Sequence, residues 1–249
     1  MSAVSGKRVL VAGAAGVIGR TLCKLLLADG WSVIGTTRSA QRAAELAACG
    51  VNPVLVDVFD APALKQVVAN SGAEIVVHQL TDLPREFSPE LLAAALTSNA
   101  HLRDVGTRNL VSAAVAAGVK RVVAQSIAFA YAPGPRPYTE DSPLNVAAAD
   151  TAAATTARGV QSLEQQVLAG PFVGVVLRYG RLYGPGTWNA VAATSGAVHV
   201  DAAAEAARLA LGNGDGVYNI AEDEATICSR KARRELGWDP GFRLERRTC

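Results

Sequence analysis

Three glycines near the start of the chain are the clearest candidates for a ligand-binding role. They stand at positions 13, 16 and 19, after an apolar run and at the start of a helical pattern. Glycines at this spacing let the chain turn off a strand, approach a diphosphate closely and pack a helix on the sheet. The first N–H groups of that helix also favour an anion. The turn therefore predicts a dinucleotide site, although a purely structural turn is the alternative. Its predicted contact residues are Gly13, Ala15, Gly16, Val17, Ile18 and Gly19.

The end of the second predicted strand bears on which dinucleotide is bound. In this type of fold an acidic residue there favours NAD, whereas an arginine accommodates a 2′-phosphate and favours NADP. Here Thr37 and Arg38 are followed by Arg42, with no carboxylate between them. Because a guanidinium suits a phosphate dianion, the sequence favours NADP over NAD. The competing interpretation is a solvated, basic start of the next helix.

Asp57 and Val58 follow the third predicted strand, where the adenine of a dinucleotide would lie. We expect the carboxylate to accept a hydrogen bond from the exocyclic amine and Val58 to pack on the ring. The alternative makes Asp57 a turn former and helix cap.

Composition excludes several functional classes. The 249 residues include 24 Lys and Arg and 22 Asp and Glu, a balance that gives no argument for nucleic acid or an anionic membrane as partner. The cysteines at 23, 49, 228 and 249 lack the spacing of a metal site or a disulfide framework. No apolar run approaches the ~18 residues of a membrane span, and the glycine-broken start argues against a signal peptide. We therefore predict a cytoplasmic protein that binds a small-molecule substrate and no metal.

Apolar runs of strand length alternate with helical patterns along the chain. This alternation predicts an α/β fold, a doubly wound parallel sheet with helices on both faces. Irregular stretches at 131–150 and 184–199 follow the last two predicted strands, where ligands bind in such sheets. The Ala- and Thr-rich stretch 147–157 is either a linker or a helix start. The predicted strands are 8–12, 32–36, 53–56, 75–78, 121–125 and 172–177, and the predicted helices are 16–29, 40–48, 61–70, 89–117 and 155–169.

Several motifs occur together along the chain. They are GAAGVIG at 13–19, VVHQL at 76–80, GTRNL at 106–110, LRYGRLYGPG at 177–186, HVD at 199–201 and ARRELGWDP at 232–240. With this set the chain resembles the extended or atypical short-chain dehydrogenase/reductases, the NAD(P)-dependent epimerase/dehydratase family.

The resemblance implies a single Rossmann-type NAD(P)-binding domain over 1–249. A small, abbreviated C-terminal substrate lobe would be formed mainly by 180–200 and 221–249. It further implies a homodimer through the helices at 89–117 and 155–169. The cofactor contacts that it adds are Leu80, Thr81, Asn99 and Tyr179, the last of them near the nicotinamide.

The resemblance breaks at the catalytic residues. In the family a Tyr-x-x-x-Lys pair, with a nearby Ser or Thr, moves a proton to or from the substrate oxygen. Aligned through Leu163-Glu164, the tyrosine and lysine positions hold Thr156 and Val160, and the Ser/Thr position holds Ile127. No tyrosine in the printed sequence is followed four residues later by lysine.

Other polar residues are candidates to act in their place. Tyr131 opens the loop after the fifth strand and is the predicted proton donor, with loop packing as its alternative role. Ser126 is the second catalytic candidate, or it caps the strand end. Arg181 is expected to bind a substrate carboxylate or phosphate, or to make a structural salt bridge. Asp82 and Arg85 are further charges expected beside the cleft.

Three functions follow from these patterns. The first is an NADP(H)-dependent oxidoreductase of a small carbonyl or alcohol with a nonstandard proton donor. The second is an isomerase or lyase of the epimerase/dehydratase type. The third is a noncatalytic NADP-binding module that acts as a sensor or partner, which the missing Tyr and Lys favour.

Overall fold

A seven-stranded, fully parallel sheet forms the centre of the molecule, as a computed structural model of residues 7–84, 86, 88–222 and 224–245 shows. The strands are β1 (Arg8–Ala12), β2 (Ser32–Thr37), β3 (Asn52–Leu55), β4 (Ile75–His78), β5 (Arg121–Ile127), β6 (Val173–Tyr179), β7 (Arg181–Tyr183), β8 (Ala197–His199) and β9 (Gly216–Ile220). Their order in the main sheet is β3-β2-β1-β4-β5-β6-β9, while β7 and β8 form a separate parallel pair. The predicted doubly wound α/β fold is confirmed.

Helices cover the strands in the predicted places, with three differences. They are α1 (Val17–Ala28), α2 (Ala40–Ala48), α3 (Ala61–Ser71), α4 (Pro89–His101), α5 (Thr107–Ala116), α6 (Thr151–Leu168), α7 (Val200–Leu209) and α8 (Arg230–Leu236). The helix predicted over 89–117 is interrupted by a π-helical turn at Leu102–Gly106. The helix predicted from 155 begins at Thr151, where the Asp150 side chain accepts a hydrogen bond from the Ala152 N–H, so the linker interpretation is wrong beyond that residue. The sequence analysis missed α7 and α8.

Two apolar cores lie on opposite faces of the sheet. One joins alternate residues of β1, such as Val9 and Val11, to α1 and α7. The other joins the intervening residues, such as Leu10 and Ala12, to α3, α5 and α6. This two-sided burial explains why the strands read as continuous apolar runs.

The sheet order reverses direction between β1 and β4, which are neighbours although two strands separate them in sequence. In open α/β sheets the crevice at such a point, beyond the carboxyl ends of the strands, is the usual ligand site. The turn after β1 and the residues after β4 therefore flank the place where a ligand is expected. In the part of the chain described here, no helix combines the length and apolarity needed to cross a bilayer.

Candidate functional site

The glycine turn after β1 is built so tightly that side chains are excluded from it. Gly13 has φ +87°, and a Cβ atom there would lie 2.5 Å from the Gln79 carbonyl oxygen. A Cβ atom on Gly19 would overlap the Gly13 carbonyl oxygen, and one on Gly16 would lie 3.2 Å from the same atom. The three glycines therefore bring α1 and the end of β4 against the turn.

The start of α1 offers a place for an anion. Gly16 caps the helix with no side-chain hydrogen bond, and the first turn carries no acidic residue. The first N–H groups of a helix lack intrahelical acceptors, and the helix dipole adds partial positive charge there. The geometry of residues 13–19 thus fits the diphosphate for which the sequence pattern argues.

Arg38 lies at the end of β2 with its charge only weakly engaged. Its guanidinium is 3.4 Å from an Asp82 carboxylate oxygen, and the two side chains are 59% and 42% exposed. An exposed pair of this length contributes little. Beside it, Thr37 Oγ1 accepts a hydrogen bond from the Ser39 N–H, and Ser39 caps α2. Arg38 is therefore able to turn toward a phosphate without losing a strong contact.

Asp57 and Val58 are held by contacts within the chain. An Asp57 carboxylate oxygen accepts a hydrogen bond from the Phe59 N–H at 3.0 Å, the geometry of a turn former. Asp60, rather than Asp57, caps α3. Val58 is 8% exposed and packs near Gly106 of the π-helical turn. Little of the Val58 side chain is thus left to meet an adenine ring.

The segment after β4 carries an unsatisfied polar atom. Gln79 is buried; its side-chain nitrogen donates to the Tyr179 hydroxyl at 3.3 Å, while its Oε1 meets no hydrogen-bond partner among the described residues. Exchanging the amide's O and N would leave the nitrogen unpaired instead, so either assignment leaves one orphan. Burial also raises the pKa of Tyr179. An amide-bearing ligand would satisfy an atom of this kind.

The remaining residues of this segment make ordinary contacts. The Leu80 carbonyl accepts a hydrogen bond from Gln125 at 2.7 Å, and Asn99 Oδ1 accepts one from the Asp82 N–H at 3.2 Å. Thr81 is exposed at the surface. Arg85 lies outside the described residues.

Both catalytic candidates belong to one buried polar network. Ser126 donates to Glu164 Oε1 at 2.7 Å, and the Arg178 guanidinium binds both Glu164 oxygens, at 2.9 and 2.7 Å. Arg178 also donates to the Tyr131 hydroxyl at 2.9 Å, and that hydroxyl donates to Asn219 Oδ1. Burial raises the pKa of Tyr131 despite the nearby guanidinium. The network ties β5, β6, β9 and α6 together, and the sequence analysis missed Glu164 and Asn219 as its members.

Apolar side chains fill the positions where the resemblance places Ser and Lys. Ile127 and Val160 pack in one cluster, whose other members are Ala130, Leu144, Val146 and Ala157. Val160 is fully buried, and Thr156, at the tyrosine position, is partly buried. The side chains at the Ser and Lys positions, Ile127 and Val160, therefore have no proton to transfer.

Two further buried residues lie under the carboxyl end of the sheet. His78 accepts the Leu80 N–H at Nδ1 and shares a 3.0 Å hydrogen bond with the Thr107 hydroxyl. Burial, with the charge of Arg103, lowers the pKa of His78 to about 4, so the ring is neutral. Arg103 sits in the π-helical turn, 5% exposed, and no hydrogen bond or ion pair joins it to any described residue. A sequence pattern gives no signal for an unpaired buried arginine.

No group of three or more metal-ligating side chains occurs in the described part of the chain. The histidines that flank the site have structural contacts: His101 stacks on Phe59, and His199 Nδ1 accepts the Asp201 N–H at 3.1 Å.

Comparison with known proteins places this site in context. Residues 9–221 match the model of the "NAD dependent epimerase/dehydratase family". The chain is 49% identical over 183 residues to the 3-diazoavenalumate denitrifying reductase of a Streptomyces species, covering 72% of this chain and 58% of the relative. It is 36% identical over 154 residues to a UDP-glucose 4-epimerase of Mycolicibacterium smegmatis, covering 56% and 45%. The chain thus spans about half the length of these curated relatives.

Solved structures share the fold at low sequence identity. The UDP-glucose 4-epimerase of Thermotoga maritima, solved with UDP-glucose, has a TM-score of 0.76 at 18% identity, covering 95% of this chain and 94% of that chain. The dTDP-glucose 4,6-dehydratase DesIV of Streptomyces venezuelae has a TM-score of 0.76 at 20% identity, covering 95% and 93%. Since the family model spans most of the chain and the glycine turn and sheet order agree with it, the chain belongs to the NAD-dependent epimerase/dehydratase family, the extended short-chain dehydrogenase/reductases.

Proposed function

We propose that this chain is an NADP(H)-dependent reductase that removes nitrogen from an aromatic diazo compound. The observation that carries the proposal is the apolar cluster of Ile127 and Val160, which leaves the usual Ser and Lys positions without a proton-transfer group. The reductase that is 49% identical over 183 residues is named for the denitrifying reduction of a diazo compound. Denitrifying reduction needs no protonation of a substrate oxygen, so it agrees both with the apolar residues at these positions and with the reaction for which the relative is named.

The atoms and electrons of this reaction balance without a proton donor. When bound, NADPH would supply a hydride: a C–H bond would form at the ring carbon while the C–N bond breaks and its electron pair leaves with N₂. A diazonium ion and NADPH thereby give the arene, N₂ and NADP⁺, with no net proton consumed. Reduction of a carbonyl consumes one proton per hydride, which the family's tyrosine normally delivers. The carbonyl or alcohol substrate predicted from sequence is therefore the competing proposal.

The residues that would hold the cofactor follow from the site. The glycine turn and the start of α1 would bind the diphosphate, with Gly13, Ala15, Gly16, Val17, Ile18 and Gly19 in contact. Thr37 and Arg38 would bind the 2′-phosphate, which is our reason for proposing NADP. Asp57 would border the adenine, whereas the buried Val58 would offer it little surface. Leu80, Thr81, Asn99 and Tyr179 would border the nicotinamide ribose and ring.

In this proposal, Tyr131 and Ser126 position neighbouring strands and do not donate a proton to the substrate. Their hydroxyls are committed to Asn219 and Glu164, and both residues are buried. A proton donor must reach the substrate, and these groups would first have to break their present hydrogen bonds. We infer that they hold the carboxyl ends of β5 and β6 in register beside the cleft.

Two matched substrates test the proposal. Purified protein would be given NADPH with either ¹⁵N-labelled 3-carboxybenzenediazonium or 3-carboxybenzaldehyde, and a protein-free sample would correct for spontaneous reaction. We expect one labelled N₂ per NADPH oxidised, without proton uptake, and no reduction of the aldehyde. Reduction of the aldehyde with one proton per NADPH, while the diazonium ion is left intact, would contradict the proposal. So would binding of NADPH with no turnover of either compound, the behaviour of a noncatalytic module.

A further inference from the structure

Arg181 presents a guanidinium that is oriented but unpaired. It lies over the ring of Phe129, 4.6 Å from the ring centroid, and it makes no hydrogen bond or ion pair with any described residue. Both side chains are exposed. Stacking on an aromatic face restricts a guanidinium while leaving its N–H edge free for a planar anion. The structural salt bridge considered for Arg181 is not formed among the described residues.

Arg181 is one of the residues that line a cavity of about 260 Å³. Tyr183, Asn189 and Thr194 line it as well, together with apolar residues. Its size and its mixed lining suit one small organic molecule and not a large nucleotide sugar.

Phe129 and Arg181 follow the ends of two neighbouring strands of the main sheet. Ile127, the last residue of β5, pairs in register with Tyr179, the last residue of β6. Phe129 and Arg181 each stand two residues beyond these strand ends, at the carboxyl edge of the sheet. Both side chains of the stacked pair therefore come from the segments that follow the carboxyl ends of β5 and β6.

We propose that Arg181 binds the carboxylate of an aromatic acid, with Phe129 holding the guanidinium in place and the cavity receiving the substrate. This inference rests on the proposed function and names its substrate class, an aromatic carboxylate that bears the diazo group. The two N–H groups of one guanidinium edge match the two oxygens of a carboxylate. Arg181 acts on binding and specificity and takes no part in the transfer of hydride.

The test uses unreactive ligands, so that it does not depend on turnover. Calorimetric titration of the protein, with and without NADP⁺, would compare cinnamate with its neutral analogue cinnamamide. The variants are Arg181→Met, which keeps a similar length, and the control Arg136→Met, whose exposed guanidinium lies 6.0 Å from the Tyr138 ring on another loop. We expect cinnamate to bind the native protein about 10- to 100-fold more tightly than cinnamamide. Arg181→Met should abolish that preference and leave cinnamamide binding unchanged, whereas Arg136→Met should behave as the native protein.

Ligand binding tests the carboxylate site at Arg181, and release of labelled N₂ tests the proposed reaction separately. Equal binding of the acid and the amide to the native protein, or equal loss of both in Arg181→Met, would overturn the carboxylate site even if labelled N₂ is released from the diazonium ion. A carboxylate preference that depends on Arg181 would support the site even if another chemistry is found. In turnover, Arg181→Met should raise KM for 3-carboxybenzenediazonium and leave kcat close to that of the native protein.

Discussion

Two buried arginines differ in whether their charge is compensated. Arg178 is held by both oxygens of Glu164, and although burial acts against it, these hydrogen bonds raise the pKa of Arg178. Arg103 has no such partner; burial lowers its pKa to about 10, and the more distant Glu164 offsets only part of this effect. Removing an unpaired buried charge relieves a desolvation cost, whereas breaking a buried pair leaves its partner uncompensated.

The same substitution should therefore have opposite effects at these two positions. We expect Arg103→Met to leave the free energy of unfolding unchanged or to raise it by about 1 kcal/mol, and Arg178→Met to lower it by about 3–5 kcal/mol. Urea denaturation of both variants beside the native protein measures the difference. A large loss of stability in Arg103→Met would show that its charge is compensated in the native state and would contradict this interpretation.

The contact between strand β4 and helix α5 depends on a neutral imidazole at His78, which shares a hydrogen bond with the Thr107 hydroxyl. His78 Nδ1 accepts the Leu80 N–H, so a proton added at that nitrogen would face another donor. The pKa of His78 is about 4 in the folded protein, against 6.5 for an unperturbed histidine. Between these values the unfolded chain binds the proton more readily, so stability is fully present above the unfolded pKa and is lost as pH falls toward the folded one.

We therefore expect the lowered pKa of His78 to reduce the free energy of unfolding by up to about 3 kcal/mol as pH falls from 7 to 4. Urea unfolding measured across this range, for the native protein and for His78→Gln, isolates the contribution from that of the carboxyl groups. The free energy of unfolding of His78→Gln should fall less steeply toward acid pH than that of the native protein. Parallel pH profiles for the two proteins would contradict a buried, neutral His78.

Among the elements, the sequence predicted the strands and the helices between them but missed two helices and the π-helical turn. The six predicted strands and the glycine turn were found because buried parallel strands are continuous apolar runs bounded by turns. α7 was missed although its polar residues, Asp201, Glu205 and Arg208, recur at helical spacing; nearly all of its residues are buried. The π-helical turn was missed because one extra residue per turn does not interrupt an apolar pattern. The Ser126–Glu164–Arg178 network joins residues far apart in sequence, so only the fold reveals it.

In the whole molecule, the sheet brings the elements that we propose to bind phosphate to one edge. The start of α1 and the end of β2 both lie at the carboxyl edge of the sheet, where Arg38 is exposed and weakly paired. The proposed NADP preference depends on this arrangement. The homodimer through the helices at 89–117 and 155–169 and the cytoplasmic location stay predictions of the sequence.

Arg38→Asp should weaken NADPH binding by about 10- to 100-fold and leave NADH binding unchanged or tighter, because only NADPH carries the 2′-phosphate. Fluorescence titration with the two nucleotides measures this selectivity. Lys24→Asp makes the same change of charge at an exposed position of α1 and should leave the preference intact. Equal affinity of the native protein for both nucleotides would contradict a 2′-phosphate site at Arg38.

The origin of the hydrogen in the product distinguishes direct hydride transfer from transfer of a proton taken from solvent. NADPH deuterated at the transferred position of C4 would be used with 3-carboxybenzenediazonium in ordinary water, and the benzoate product analysed by mass spectrometry and NMR. Because Ile127 and Val160 have no proton to transfer, we expect one deuterium at the carbon that lost nitrogen and none there when unlabelled NADPH reacts in D₂O. Product hydrogen that comes from the solvent would contradict direct hydride displacement at an apolar site.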